Sequence, residues 1–223
     1  MDLIEPTFDI SEYLRKPLEI QCGILDIPLV ELSIDYKGKP ERAVLNHYHS
    51  LGYYGKHCEG SYLILIIHAL CLDKLHKFNT FKSRKDACTR YLKAQFTILQ
   101  PMINEIICDI QKVNELSFKN NVEEILCEKL PPETYPDVNV EFAQEILSLL
   151  GRETTYKIAA MIAINPYGLC RGWPDLILTK DDNLKLVEVK HNDLLTDNQL
   201  YTFYNIKKFF DDISVVKITG KKM

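Results

Sequence analysis

The sequence predicts an α/β protein whose helices dominate the first two thirds of the chain and whose strands lie mainly at the C-terminal end. Apolar residues recur at helical spacing through most of residues 41–164. From residue 165 the pattern changes to short β-type runs over residues 174–179, 184–190 and 213–219, with one helix between the second and the third. A β-β-α-β order after a long helical stretch is therefore the predicted organisation.

Composition limits the classes of function. The chain has 223 residues, of which 46% are hydrophobic and 26% are charged, as expected for one large folded domain or one domain with a small cap. Its 27 basic and 31 acidic residues give a net charge of -4. This balance excludes a polycation that coats nucleic acid by bulk charge. If the protein binds DNA, its basic residues must be grouped on one face.

Cysteine usage indicates an intracellular protein. The seven cysteines are scattered and form no C-x-x-C pair, which argues for reduced thiols and against structural zinc. A zinc cluster of His47, His49, His57 and Cys58 is a minor alternative. The longest apolar run, Tyr62–Leu72, is far shorter than the roughly 18 to 20 residues of a membrane span. The acidic N-terminus does not resemble a signal peptide.

The first elements are a strand and two helices. Residues 26–35 predict a strand, which ends at a turn before Pro40. A helical pattern then runs from Glu41 to Gly55, and Ser61 begins a second helix that extends to about Lys77. We expect residues 1–56 to form an N-terminal cap and residues 57–223 to form the main unit.

The middle of the chain predicts a helical insertion over residues 61–165. Residues 83–130 contain two or three amphipathic helices, with breaks expected at Pro101 and near Asn120–Asn121. A loop follows at Pro131, Pro132 and Pro136, and two helices over 140–150 and 153–164 are hinged at Gly151.

The C-terminal elements should form the core over residues 166–220. A turn at residues 165–168 precedes a β-hairpin, which is followed by a helix that begins at the N-cap Thr196 and runs to Phe210. The last strand completes the β-β-α-β unit.

The hairpin places two carboxylates opposite each other. If the strands are joined by the four residues 180–183, residues whose numbers sum to 363 face each other, and Leu186 meets Ile177 in an apolar seam. The same register sets Glu188 opposite Asp175, at roughly 5 Å between Cβ atoms. Carboxylates at this separation repel, whereas a divalent cation between them would bind to both.

Two further groups near this pair suit hydrolysis of a phosphate ester. Lys190 lies on the same strand face as Glu188, where an ammonium stabilises the charge that develops on an attacked phosphate. Val189 points away, but its carbonyl oxygen lies between the two and is a possible metal ligand. The competing interpretation is that Asp175 caps a turn and that Glu188 and Lys190 lie on a solvated strand face. The arrangement is the pattern of PD-(D/E)xK nucleases.

Longer motifs add a family resemblance. The sequence over roughly residues 40–220 resembles the VRR-Nuc nucleases, and among them the Fanconi-associated nucleases. The segments that carry the resemblance are Leu45–Tyr48, His57–Ser61, Cys170–Leu176 and Lys185–Lys190, followed by Asn192, Asp193, Leu195 and Gln199, with weaker support from Phe81–Leu92 and Val140–Ala160. The sequence departs from the family at His191, where glycine is usual, at Leu194, where a basic residue is expected, and in a loop before Gln199 that is one residue short.

The resemblance implies a restriction-endonuclease-like core and a complete active site. The implied metal ligands, for one or two Mg²⁺ or Mn²⁺ ions, are Glu59, Asp175, Glu188 and the carbonyl of Val189. Lys190 would be the catalytic lysine, and Gln199 would orient the lysine or a phosphate. On the residues alone, Glu59 is better explained as an acid that stabilises a helix N-terminus.

The resemblance also implies the substrate. It indicates branched DNA with a 5′ flap, nick or junction, cleaved by a 5′ flap endonuclease and 5′-to-3′ exonuclease that leaves a 5′ phosphate and acts in DNA repair, including crosslink repair. One alternative is a Holliday-junction resolvase, which would dimerise. The helical insertion argues against such a dimer and favours a monomer. The other alternative is a non-catalytic DNA-binding module on a nuclease fold.

Basic residues of the first half are the predicted DNA contacts. The densest group consists of Arg84, Lys85, Arg90 and Lys93, which we expect to bind backbone phosphates. The lysines at 207–208 and 221–222 are weaker candidates, and a solvated charged face is the competing interpretation.

Overall fold

The computed structural model describes residues 9–128 and 138–223, which fall into two compact units. One unit is helical and consists of Ser61–Cys170, and the other combines residues 9–60 with Arg171–Met223 around a β-sheet. The predicted loop at Pro131, Pro132 and Pro136 lies outside the described residues. The predicted division into a cap over residues 1–56 and a unit over 57–223 differs from this arrangement, because strands from the N-terminal segment pair with C-terminal ones.

The elements follow one another in a defined order. They are α1 (Ile10–Tyr13), α2 (Leu18–Leu25), β1 (Leu29–Leu32), α3 (Pro40–Ser50), β2 (Tyr54–His57), α4 (Ser61–Phe78), α5 (Arg84–Thr89), α6 (Leu92–Ile98), α7 (Ile103–Cys108), α8 (Glu115–Cys127), α9 (Val140–Leu150), α10 (Arg152–Ile164), α11 (Pro166–Leu169), β3 (Leu176–Lys180), β4 (Asn183–Lys190), α12 (Asp197–Ile206) and β5 (Asp212–Ile218). Short 3₁₀ turns connect some of the helices. Among the described residues, no helix has the length and apolar character needed to cross a bilayer.

The sheet is mixed, with the strand order β1-β5-β4-β3-β2 among the described residues. The pairs β2–β3 and β3–β4 are antiparallel, whereas the pairs β4–β5 and β5–β1 are parallel. The predicted β-β-α-β order is confirmed as β3-β4-α12-β5. A crossover helix such as α12 is required because parallel strands cannot be joined by a tight turn.

The hairpin of β3 and β4 has the predicted register. Leu176 pairs with Val187 and Ile177 with Leu186, so that paired residue numbers sum to 363. The strands extend one pair further than predicted, to Lys180 and Asn183. The connection is therefore the two residues Asp181 and Asp182, whose φ angles of 48° and 61° fit a type I′ turn.

Strand β2 replaces the end of a predicted helix. The helix expected to reach Gly55 ends at Ser50, and Gly52, with a φ of 84°, turns the chain into a strand that pairs with β3. Gly55 allows the two backbones to approach closely, because a Cβ atom there would lie 2.5 Å from the carbonyl oxygen of Ile177. The sequence pattern missed this strand because it is only four residues long.

Helix α8 runs through the predicted break at Asn120–Asn121. The Asn121 side chain donates to the carbonyl of Ala69 at 2.8 Å and accepts from Arg84 at 2.8 Å. These tertiary hydrogen bonds offset the low helix propensity of asparagine. The predicted helical pair hinged at Gly151 is confirmed as α9 and α10, and the predicted turn after Asn165 is the single-turn helix α11.

Each unit has its own hydrophobic core. In the sheet unit, Val44 and Tyr48 of α3 pack in a cluster with side chains of β3, β4 and β5 that includes Val187 and Val189. Val189 therefore points away from Glu188 and Lys190, as the alternation of the strand predicts. In the helical unit, α4 is buried over most of its length, as expected for a helix that is apolar on all sides.

Candidate metal centre

Asp175 is held where β2, β3 and β4 meet. It immediately precedes β3, and its carbonyl oxygen accepts the N–H of Cys58 at 2.8 Å. Its carboxylate oxygen Oδ2 accepts the backbone N–H of Val189 at 2.8 Å. One residue thus connects the end of β2 with β4, and its carboxylate is oriented by the backbone.

Glu59 is presented on a sharp bend directly after β2. Its φ is 46° and that of Gly60 is 80°, so two successive residues have left-handed backbone conformations. Non-glycine residues rarely adopt this conformation, which is found in turns and also clusters at functional sites. The donor atoms of His57, Glu59 and Asp175 lie within 4.8 Å of one another. These three side chains could therefore hold one metal ion.

Glu188 is a buried carboxylate with one oxygen free. Its side chain is only 1% exposed. The Oε1 atom is 3.0 Å from the Lys190 ammonium nitrogen and accepts a short hydrogen bond from the Gln199 amide. The Oε2 atom is buried and has no hydrogen-bond partner among the residues that the structure describes. A buried anionic oxygen without a partner is costly, and a cation is one way to satisfy it.

Lys190 is fixed by a small polar network. Its ammonium nitrogen lies 3.0 Å from Gln199 Oε1 and 3.2 Å from Asp193 Oδ2. Gln199 also completes a capping box with Thr196 at the start of α12. The start of this helix therefore contacts both the lysine and Glu188 through Gln199, whose role in orienting the lysine or a phosphate stays a prediction.

The electrostatics of the site favour a cation. Burial raises the pKa of Glu188 to about 8, and the charge of Asp175 contributes to the increase. Burial also raises the pKa of Asp175 to about 6. The hydrogen bond from the Val189 N–H lowers this pKa, whereas the negative charge of Glu41 raises it. In the metal-free protein both carboxyl groups resist ionisation. A bound divalent cation would stabilise both of them as anions. The residues present thus fit a divalent metal ion with oxygen ligands.

The structure brings together most of the predicted metal ligands. Glu59 and Asp175 lie in one cluster. Glu188 is held by Lys190 and Gln199, and its pKa is raised by burial and by the charge of Asp175. Val189 contributes its N–H, and a role for its carbonyl stays a prediction. The zinc alternative gains no support, since among the described residues His57 is grouped with carboxylates and not with His47 or His49.

Sequence reasoning assigned no role in this site to two of its residues, Glu41 and His57, the second of which it considered only for the zinc alternative. His57 was visible, because it stands two residues before Glu59 in the same motif. Glu41 lies in the first turn of α3, and its carboxylate has a buried oxygen without a partner. No local pattern indicated that the start of this helix lies near Asp175, because only tertiary packing brings them together.

The predicted DNA-binding residues lie in the helical unit, where each has a local partner. Arg84 forms ion pairs with Asp73 and Glu124 and is only 29% exposed. The other three make partly exposed contacts: Lys85 with Glu128 at 3.2 Å, Arg90 with Asp86 at 2.8 Å, and Lys93 with the rings of Tyr91 and Tyr167. Arg84 is thus engaged in holding α4, α5 and α8 together.

Gly60 provides a first test of the bend that carries Glu59. We expect Gly60→Ala to weaken metal binding and to destabilise the sheet unit by about 1–3 kcal/mol, because the new Cβ would lie 2.5 Å from Cγ of the buried Trp173. Thermal unfolding with and without Mn²⁺ measures both effects. The matched control is Gly38→Ala, since Gly38 has a φ of 81° but no atoms within 4 Å of the added Cβ. Equal effects of the two substitutions would mean that backbone strain alone is responsible.

Comparisons with known proteins agree with the predicted family. The VRR-NUC domain model matches residues 117–220. The crystal structure of paFAN1 bound to 2nt 5′ flap DNA with gap has a TM-score of 0.66 at 16% identity, covering 87% of this chain and 38% of that chain. The structure bound to 1nt 5′ flap DNA with gap has a TM-score of 0.60 at 16% identity, covering 95% and 45%.

These matches concern part of a larger architecture. The chain spans less than half the length of either paFAN1 structure. No curated protein matches the sequence. The predicted resemblance and the predicted PD-(D/E)xK-like core are confirmed by the domain match and by the shared fold.

Proposed function

We propose that this chain, which matches the VRR-NUC domain over residues 117–220, is a structure-specific DNA nuclease that depends on a divalent metal ion. The observation that carries the proposal is the convergence of Asp175, Glu188 and Lys190, with the buried Glu188 Oε2 left without a partner. Two adjacent carboxylates and a positioned ammonium are the groups that metal-assisted phosphodiester hydrolysis requires.

The proposed mechanism assigns a role to each group. Asp175, Glu188, Glu59 and the Val189 carbonyl would hold one or two Mg²⁺ or Mn²⁺ ions. When bound, such an ion polarises a phosphoryl oxygen and lowers the pKa of water. Lys190 orients the attacking water or stabilises the negative charge of the pentavalent phosphate. Gln199 holds the Lys190 ammonium through Oε1, and Asp193 holds it from the other side.

The proposed substrate is branched DNA, and the proposed products carry a 5′ phosphate and a 3′ hydroxyl. Support comes from the paFAN1 structures, which are bound to 5′ flap DNA, together with the sequence motifs around the site. We further propose that the protein acts as a monomer, as a 5′ flap endonuclease and 5′-to-3′ exonuclease. Its place would be in DNA repair, including crosslink repair, in the nucleus if the source is eukaryotic.

A panel of labelled DNA structures tests this function. The panel contains 5′ flaps, 3′ flaps, nicked duplexes, single strands and four-way junctions, each incubated with Mg²⁺ or with Mn²⁺. We expect preferential cleavage of 5′ flaps, with products that a ligase can join because they carry a 5′ phosphate. Paired symmetric cuts in four-way junctions would instead identify a resolvase. Binding of flaps without cleavage of any DNA would identify a non-catalytic module.

Lys85 and Lys93 test the proposed DNA contacts without disturbing the Arg84 ion pairs. Charge reversal at both lysines should weaken flap binding and reduce the slope of log affinity against log salt by about 0.9 for each duplex phosphate that the protein no longer neutralises. The measurement is a salt titration of binding in Ca²⁺. Lys119→Glu is the matched control, because this lysine is also in the helical unit and pairs with Glu123. An unchanged slope in the double variant would assign these lysines to a solvated face.

A further inference from the structure

We propose that His57 supplies a nitrogen ligand to the metal centre, and that the centre therefore prefers a first-row transition ion such as Mn²⁺ over Mg²⁺. The inference rests on the proposed function in one respect, since it concerns the same site. It adds a residue for which neither the motif pattern nor the family resemblance implied a role, and it decides between the two proposed ions.

The first argument is geometric. His57 is the last residue of β2, and its backbone pairs with Leu176, the residue that follows Asp175. Its Nε2 atom is 3.6 Å from Glu59 Oε1, and its donor atom lies in the cluster in which all ligand atoms are within 4.8 Å of one another. A single ion at bond lengths of about 2.0–2.3 Å can bridge donors separated by such distances.

A second argument distinguishes this cluster from an ordinary group of surface acids. Glu188, whose charge interacts with that of Asp175, is buried and has an oxygen without a partner. Asp175 is itself oriented by a backbone N–H donor. Glu59 is exposed and Asp175 is half-buried, so it is the buried Glu188 that favours a cation, because one of its oxygens otherwise stays unpaired.

The third argument is the choice of ion. Mg²⁺ strongly prefers oxygen ligands and retains much of its hydration shell. An imidazole nitrogen is a softer donor and binds more readily to transition ions. Compared with a centre made of carboxylates alone, a centre that adds one imidazole should therefore bind Mn²⁺ more tightly and Mg²⁺ about equally well. The competing interpretation is that a protonated His57 only forms an ion pair with Glu59.

Pulsed electron paramagnetic resonance of the full chain with Mn²⁺ alone separates these interpretations. We expect the wild-type protein to show the ¹⁴N modulation of a directly bound imidazole. The modulation should disappear in His57→Gln and persist in His49→Gln, a control at an exposed histidine of α3. Absence of ¹⁴N modulation in wild-type protein that has bound Mn²⁺ overturns the proposal. This result needs no variant, so it does not depend on how a variant folds.

Calorimetric titration with each metal tests the selectivity. We expect His57→Gln to lower Mn²⁺ affinity by about tenfold or more and Mg²⁺ affinity by less than about twofold. Circular dichroism establishes that the variant is folded. Equal losses for the two metals, or an unchanged Mn²⁺ affinity, overturn the proposed selectivity.

Both measurements are made without DNA, so their results do not depend on whether the protein is a nuclease. Cleavage of flaps by a protein whose Mn²⁺ lacks a nitrogen ligand would reject the role of His57 and retain the nuclease. A nitrogen-ligated Mn²⁺ centre in a protein that cleaves no DNA would reject the nuclease and retain the centre.

Discussion

Replacing Asp175 with alanine is expected to abolish DNA cleavage while leaving the protein folded and able to bind DNA. The substitution removes the carboxylate that lies between Glu59 and Glu188 and that the Val189 N–H orients. Loss of a metal ligand removes several kcal/mol of transition-state stabilisation, which corresponds to a decrease in rate of roughly 10³-fold or more. Single-turnover cleavage of a 5′ flap measures the effect, and Asp211→Ala at an exposed position is the control.

The same substitution should change how the stability of the metal-free protein depends on pH. The pKa values of Asp175 and Glu188 are raised to about 6 and about 8 in the folded state. The native state therefore binds more protons than the unfolded state between roughly pH 4 and pH 8, and the free energy of unfolding falls as pH rises through this range. Asp175→Ala removes one of these groups and its repulsion of Glu188, so the decrease should be smaller.

Denaturation at pH 5.5 and at pH 8, without metal, measures this difference. The variant should be at least as stable as the wild type at pH 8. Cleavage at the wild-type rate by Asp175→Ala would show that the hairpin does not carry the active site. A steeper loss of stability at high pH would show that the carboxylates do not repel each other in the metal-free protein.

Lys190→Ala is expected to reduce turnover by roughly 10²-fold or more, as the loss of a preorganised electrostatic group does, with little change in metal affinity. The lysine is only 5% exposed and is held by Glu188, Gln199 and Asp193. Its removal also leaves the buried Glu188 carboxylate without its cation. We therefore expect the variant to lose stability, and to a similar extent with and without metal, because its metal affinity is little changed.

Lys217→Ala is a matched control, because Lys217 pairs with Lys190 across β4 and β5 but forms its ion pairs with Glu19 and Glu31. Turnover and Mn²⁺ affinity are measured for both variants. If Lys190→Ala binds metal poorly and regains its rate in excess Mn²⁺, the lysine supports the site structurally and takes no part in the chemistry.

Among the described residues, the sequence by itself determined the elements whose signal is local. The register of β3 and β4 follows from apolar residues at alternate positions and a polar turn, and the observed pairs from Leu176–Val187 to Lys180–Asn183 confirm it. The paired helices at Gly151 and the N-cap at Thr196 were likewise visible. In each case the residues that define the feature are close together in the chain. The order of apolar, polar and turn residues therefore predicts their local conformation directly.

The tertiary structure alone decided the features that depend on residues distant in sequence. The pairing of β2 with β3 brings His57 and Glu59 to Asp175, and the packing of α3 brings Glu41 near it. The same applies to Asn121, which remains helical because it bonds to Ala69, and to Arg84, whose charge is neutralised by Asp73 and Glu124. In these cases the role of a side chain depends on partners that are distant in sequence. They come close only when the chain folds, so no local sequence pattern indicates them.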